Sequence, residues 1–372
     1  MFNLCEVALT SLRLWFAFLR LVRITIRAYT ERCLNTVVQQ LVGGMFAVKS
    51  MKKLIFSPFV LITLSLITVI SVCGCREKTA QEKAIAKLRD LGGRVSCDRN
   101  GAVTQVIFSN HGLRDADLVH LRGMTELQGL DLFGTNIYGS GLEHLKESTD
   151  LRSLNLFGTQ VIDDRLEHLK GLTNLQKLNL SDTHVSDAGL VHLKGLINLR
   201  ELHLGGTRVT DAGLEHLKSV TNIRTLNLAH TQVTDAGLLH LVGRDKLYQL
   251  ELFGTKIGDA GLVHLKGLTN LLTLSLSYTQ VTDVGLVHLK GLTDLYDLKL
   301  SNTQVTDVGL VHLAGLINLE TLSLSDTKVT DAGLVHLKGL MKLRFLDLAR
   351  SRATLDGVDM LKQVLPKFET GR

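Results

Sequence analysis

Ten of the fourteen histidines fall on one position of a repeating unit: His120, His144, His168, His192, His216, His240, His264, His288, His312 and His336, one every 24 residues. Imidazoles in such a column could ligate a row of metal ions. Ligands sharing one zinc must lie about 3–3.5 Å apart, given bonds near 2.0–2.1 Å, whereas neighbouring helices of a stack sit roughly 8–10 Å apart. No unit supplies a second cysteine or carboxylate in a standard metal-ligand pattern with its histidine. The expected role is therefore packing: half-buried, neutral rings between adjacent helices, each bonded through a ring nitrogen to a loop carbonyl. Neutral buried imidazoles have depressed folded pKa values. Their contribution to stability is present above about 6.5 and lost as pH falls through the lower folded value. A metal-storing or metal-sensing array is the alternative.

Two further charged columns share the period. Asp115, Asp163, Asp187, Asp211, Asp235, Asp259, Asp283, Asp307 and Asp331 stand where helices would begin. Lys146, Lys170, Lys194, Lys218, Lys266, Lys290 and Lys338 stand where they would end. Acids at helix N-termini and cations at C-termini complement the helix dipole. Such paired columns fit a structural role better than a stripe for an anionic polymer. No GxSxG, HExxH, P-loop, CxxC or glycine-rich dinucleotide turn is present. Each recurring His, Asp and Lys recurs because the unit does, whereas an active site needs one asymmetric cluster. The chain is expected to be non-enzymatic and to use no cofactor and no metal.

The elements behind these columns are read from residues 175–198, LQKLNLSDTHVSDAGLVHLKGLIN. Leu178 and Leu180 alternate like one face of a short strand. Leu190, Leu193 and Leu196 recur at helical spacing. Asp187 occupies an N-cap or first-turn position, and Lys194 and Gly195 the C-terminal end. The unit returns without insertion at Val103, Leu127, Leu151, Leu175, Leu199, Ile223, Leu247, Leu271, Leu295, Leu319 and Leu343. A period of this length means a solenoid, in which each strand and helix buries its apolar face only against its neighbours.

The pattern LxxLxLxxTxVxDxGLxxLxxL resembles the leucine-rich repeat in its 24-residue bacterial style, over residues 103–361. The resemblance implies an α/β solenoid, a horseshoe with an inner parallel sheet and outer helices. Thr135, Thr159, Thr183, Thr207, Thr231, Thr255, Thr279, Thr303 and Thr327 stand where that family usually has asparagine. A hydroxyl makes fewer bonds than an amide, so a thinner polar ladder is expected. The family's recognition surface is its concave sheet. Its candidate residues here are Phe133, Phe157, Asp131, Asn155, Asn179, His203, Glu251 and Phe253. Phe133 and Phe157 either form an exposed aromatic anchor or fold down onto their loops. Five acids against two lysines on the two strand columns disfavour a phosphate backbone as ligand, so no nucleic-acid partner is expected.

Residues 1–75 hold eight of the 42 Lys and Arg and two of the 36 Asp and Glu, which leaves 34 against 34 in the rest. The net charge of +6 belongs to this leader. Residues 51–75, MKKLIFSPFVLITLSLITVISVCGC, resemble a secretory signal ending in a lipobox. That resemblance makes Cys75 the lipid-attachment residue, with Cys73 a departure from the usual Ala or Ser. An uncleaved transmembrane anchor is the alternative. Residues 1–50 precede a complete signal and read as an extension from an upstream start, or as a membrane-surface helix. Residues 76–102 are expected to hold a linker and N-terminal cap, with a helix over 80–91 and strands near 94–97 and 103–108. Residues 362–372 read as a tail after a last repeat frayed at Ser351 and Ala353. Cys97 is the one cysteine left beyond the leader, so no disulfide framework is expected. These readings converge on a protein anchored in the bacterial cell envelope, in the periplasm or at the cell surface, that binds a protein or envelope ligand. A structural envelope protein without a discrete ligand is the alternative.

Overall fold

The computed structural model describes residues 79–108, 112–365 and 368–371. The leader, with Cys75, the signal-like segment and residues 1–50, lies outside them, as does Pro366. Thr79–Arg372 forms one compact unit.

Helix α1 (Ala80–Asp90) opens it. Its start is secured by a capping box: Thr79 Oγ1 accepts from the Glu82 amide at 3.1 Å and Glu82 accepts from the Thr79 amide at 2.7 Å. Strand β1 (Arg94–Cys97) pairs antiparallel with β2 (Val103–Ile107). From β2 onward every pairing is parallel, through β3 (Gly129–Asp131), β4 (Ser153–Asn155), β5 (Lys177–Asn179), β6 (Glu201–His203), β7 (Thr225–Asn227), β8 (Gln249–Glu251), β9 (Thr273–Ser275), β10 (Asp297–Lys299), β11 (Thr321–Ser323) and β12 (Phe345–Asp347). Adjacent strands are in register at 24-residue offsets, Leu178 on Leu202 and Leu202 on Leu226. Residues 369–371, part of the stretch read as a tail, form β13 (Glu369–Gly371) parallel to β12, after closing helix α2 (Leu355–Lys362). The sheet thus has 13 strands in sequence order, with antiparallel β1 as its first edge and α1 packed beside it.

The core is the stacked apolar set of every unit. Leu178, Leu180, Leu190, Leu193 and Leu196 have no exposed surface. Each such leucine contributes roughly 2 kcal/mol of burial, and no unit retains it without a neighbour.

The outer segments are shorter than the spacing implies. From Asp187 onward most are one α-turn, such as Asp187–Leu190, followed by one 3-10 turn, Val191–Leu193. Asp115–Leu121, Ser140–Leu145 and Asp163–Leu169 are entirely 3-10. The aspartates occupy the first helical position rather than the cap, which belongs to Ser186, Thr210 or Thr234. Their carboxylates bridge units: Asp187 Oδ1 accepts from the Thr210 amide at 2.8 Å and Oδ2 from the Thr210 hydroxyl at 2.6 Å. The same two bonds join Asp211 to Thr234 and Asp259 to Thr282. The DxGL glycine follows from this. A Cβ on Gly189 would lie 2.6 Å from the Asp163 Oδ1 of the preceding unit.

The threonines bond locally. Each hydroxyl from Thr135 to Thr327 donates to the carbonyl three residues back, at 2.5–2.8 Å. An asparagine ladder exists at another position. Asn174, Asn198, Asn222, Asn270 and Asn318 each donate to a carbonyl 25 residues earlier, at 2.7–3.0 Å.

Candidate functional site on the sheet face

Alternation along each three-residue strand turns the middle leucine inward and its two neighbours to the opposite face, where most are open to solvent in part but Thr225, Thr273 and Ser275 are buried. The eight candidate residues all lie on or just beyond this face, yet they form two patches rather than one. Asp131, Phe133, Asn155, Phe157 and Asn179 gather at β3–β5. His203 on β6 is the register partner of Asn179 and continues that patch, while Glu251 and Phe253 lie two strands on, at and just beyond β8. At about 4.8 Å per strand, β4 and β8 are roughly 19 Å apart.

In the first patch the two phenylalanine rings stack, centroids 5.0 Å apart and planes 15° apart. Phe133 is 52% exposed, while Phe157 is half-buried. The pair therefore presents one open ring backed by a second, which combines the two expectations for it. The polar residues beneath are partly committed to the backbone. Asp131 Oδ1 accepts from the Phe133 amide at 3.0 Å and from Asn155 Nδ2 at 2.9 Å. Asn155 and Asn179 accept from the amides of Phe157 and Ser181 at 3.1 and 3.0 Å. These bonds aim the strand ends and set where the rings stand.

The second patch contains residues that the sequence reading passed over. Phe253 packs edge-on against His230, centroids 4.8 Å apart, and against Tyr278 at 4.9 Å. His230 and Tyr278 belong to the column one residue beyond Phe133, Phe157 and Phe253, in which the backbone is left-handed throughout. Glycine fills it at 134, 158, 206 and 254; Asp182, His230, Tyr278, Asn302, Asp326 and Arg350 hold φ of 53–58° there. Bulky side chains in that conformation cost roughly 1–2 kcal/mol each. Gly254 leaves room for the imidazole, since a Cβ there would lie 2.7 Å from His230 Nδ1. The run of Gly, Asp and Asn at this position was the available signal.

The strands below carry charge. Lys177 pairs with Glu201 at 2.8 Å and Lys299 with Asp297 at 3.7 Å. Burial depresses the His203 pKa, with Lys177 adding to the shift and Glu201 and Glu251 opposing it. Asp297 is raised, by burial first and by Glu251, against the pull of Lys299. Its Oδ1 is buried without a donor. Glu251 accepts from Gln249 Nε2 at 3.3 Å.

On the opposite side, the ten column histidines are half-buried as expected, but the expected bond to a loop carbonyl is absent. Among the described residues none of these rings donates to a carbonyl, and the Nδ1 atoms of His192 and His312 are buried without a partner. No group of three or more His, Cys, Asp or Glu is placed to hold a metal ion among the described residues.

A parallel one-unit-per-strand sheet with a helical segment in each return is a leucine-rich-repeat solenoid. Family models described as leucine-rich repeats match residues 173–219, 221–242, 267–289 and 315–337. Solved structures similar to the chain include an internalin from Listeria monocytogenes, at 20% identity over 78% of this chain and 93% of that one, TM-score 0.49. Internalin C2 of the same organism is 27% identical, over 63% and 84%, TM-score 0.39. A plant peptide hormone receptor in complex with RGF2 is 15% identical, over 68% and 44%, TM-score 0.45. No curated protein matches the chain.

Proposed function

We propose that this is a non-enzymatic recognition protein, held at a bacterial cell envelope by a lipid on Cys75, that binds a protein partner on its sheet face around Phe133 and Phe157. Leucine-rich repeats generally mediate protein–protein binding. The observation that carries the reading is the stacked pair with Phe133 half open to solvent. An aromatic ring preorganised by a second one keeps little entropy to lose on binding, as anchors of interfaces do. Variation of the face from strand to strand, over a scaffold of identical leucines, is where selectivity for one partner would be written.

A second reading, lateral assembly without a discrete ligand, draws on the helical side. There Leu239, Val263, Val287, Val311 and Val335 form an apolar stripe, 38–57% exposed. Contiguous exposed apolar surface marks association sites.

One experiment separates the two. A photo-crosslinking residue is placed at 133 or at 287 in the full chain, in cells. A discrete adduct to another protein from 133, lost when Phe157 is changed to Ser in a folded variant, supports recognition. Self-adducts from 287 alone favour assembly, and no discrete adduct from 133 overturns the first reading. The intact mass of membrane-extracted protein tests the anchor: a chain beginning at Cys75 with added acyl groups is expected, and an unprocessed mass refutes it.

A further inference from the structure

Arg244 breaks the repeat in one place. The position it fills is a buried leucine or valine in other units, among them Leu172, Leu196, Val220, Leu268 and Leu292. Arg244 is nevertheless buried, with 9% of its surface exposed. Its guanidinium donates from Nη1 to the Val220 carbonyl at 2.8 Å, from Nη2 to Leu217 at 2.7 Å and from Nε to His240 at 3.2 Å. These are neutral acceptors, and they use three of its five N–H donors. Among the described residues no carboxylate pairs with it, and burial alone pulls its pKa below the ordinary guanidinium range. Buried charges are ordinarily neutralised by a counter-charge.

The backbone departs at the same point. Val242 is extended (φ −57°, ψ 132°) and Gly243 has φ +78°, a turn shared with Arg122–Gly123 ahead of the apolar Met124, whereas Lys194, Lys266 and Lys290 at the equivalent of Val242 are helical. This turn forms one wall of a cavity of about 400 Å³, lined also by Lys218, Thr221, His240, Asp245 and Lys246. A Cβ on Gly243 would meet nothing within 4 Å. The lining carries more positive charge than negative. Lys218 is offset by Glu215 at 3.2 Å, but Lys246 bonds only to the neutral amide oxygen of Asn222, at 2.7 Å. Asp245 is the one acid on the wall.

We propose that this cavity binds a small oxyanion of the phosphate class, with Arg244 as its buried anchor and Lys246 as the cation at its mouth. A tetrahedral anion accepts from the two remaining guanidinium N–H groups and supplies the missing counter-charge. The site lies at the ends of the helical turns, away from the sheet face, and does not depend on the recognition reading.

The test uses the full chain in neutral detergent, titrated calorimetrically with inorganic phosphate at constant ionic strength set by chloride. One saturable site per chain is expected. Arg244→Leu restores the residue of neighbouring units, so it is expected to fold, and to weaken phosphate binding by about tenfold or more, the loss of a charged hydrogen-bonding partner. Lys246→Ala, on the surface, is expected to weaken it several-fold with an unchanged urea midpoint. A short-chain phosphatidic acid in a second titration distinguishes sources: tighter binding than phosphate assigns the site to a lipid headgroup, and equal binding to free phosphate. No saturable binding, or equal binding by wild type and Arg244→Leu, overturns the proposal.

Discussion

Replacing Asp163 with alanine and Gly189 with alanine, singly and together, tests whether the recurring acid and glycine are one device. Asp163 accepts from the Ser186 amide and the Ser186 hydroxyl, both at 2.6 Å, across the junction of two units. Hydrogen bonds to charged groups contribute roughly 1.5–3 kcal/mol each. Both of these are part-buried, and water can replace part of the loss. Asp163→Ala should therefore destabilise by about 2–3 kcal/mol. Gly189→Ala gains at most about 1 kcal/mol of helix propensity. Its Cβ would meet Asp163 Oδ1 at 2.6 Å and displace the carboxylate from the same two bonds, for a net loss of about 2 kcal/mol. Once the Asp163 carboxylate is gone, the next nearest atoms to that Cβ are methyl groups of Leu166 and Val185, each at 3.1 Å, which can shift by tenths of an ångström. The double variant should be no less stable than Asp163→Ala alone, a coupling of about 2 kcal/mol. Urea unfolding of the full chain followed by far-UV circular dichroism measures the three differences. Hydrogen exchange at the Ser186 amide reports the local bond. Additive penalties, with the double variant about 4–5 kcal/mol below wild type, would refute the idea that the glycine is there to admit the acid.

Three further outcomes are expected. Thr231→Val removes a buried 2.6 Å bond to the Leu228 carbonyl; that oxygen keeps the Thr231 amide at 3.2 Å, so the urea midpoint should fall by only about 1 kcal/mol equivalent. Asp297 has a raised folded pKa; its effect favours the fold below the ordinary carboxylate value near 3.9 and turns adverse as pH rises through the raised value. Asp297→Asn should accordingly be more stable than wild type at pH 7, with the gap closing toward pH 4 in paired urea titrations. His312 is shifted down, by burial first and then by Lys290, against Asp283. Its contribution is present above about 6.5 and lost as pH falls through the lower folded value. Wild type should lose more stability than His312→Gln between pH 7.5 and pH 5; parallel melting curves would remove the effect.

The sheet, its register and its inward leucines were legible because a repeat samples the same environment many times. Leu178, Leu202 and Leu226 must face alike if their units are alike. The candidate face was legible for the same reason, since a residue beside an inward leucine on a strand must point the other way. The stacking of Phe133 on Phe157 could be placed by column but not by angle, because ring orientation depends on turn bonds such as Asp131 to the Phe133 amide. His230 and Tyr278 escaped notice because a left-handed backbone carries no periodic apolar signature, only a preference for Gly, Asn and Asp that these two residues break.

Periodic burial is written in residue type, so the one-unit-per-strand solenoid, the buried set and the positions opposite it follow from the repeat alone. Only the tertiary structure decided what joins one unit to the next. A carboxylate reaching 23 residues ahead, from Asp187 to Thr210, looks in sequence like a helix-dipole charge, since both roles call for an acid at the same place. It also decided that Arg244 is buried without a carboxylate partner. Whether a charge at a leucine position snorkels to solvent or stays inside depends on three carbonyls from two units, a geometry that exists only when the stack has formed.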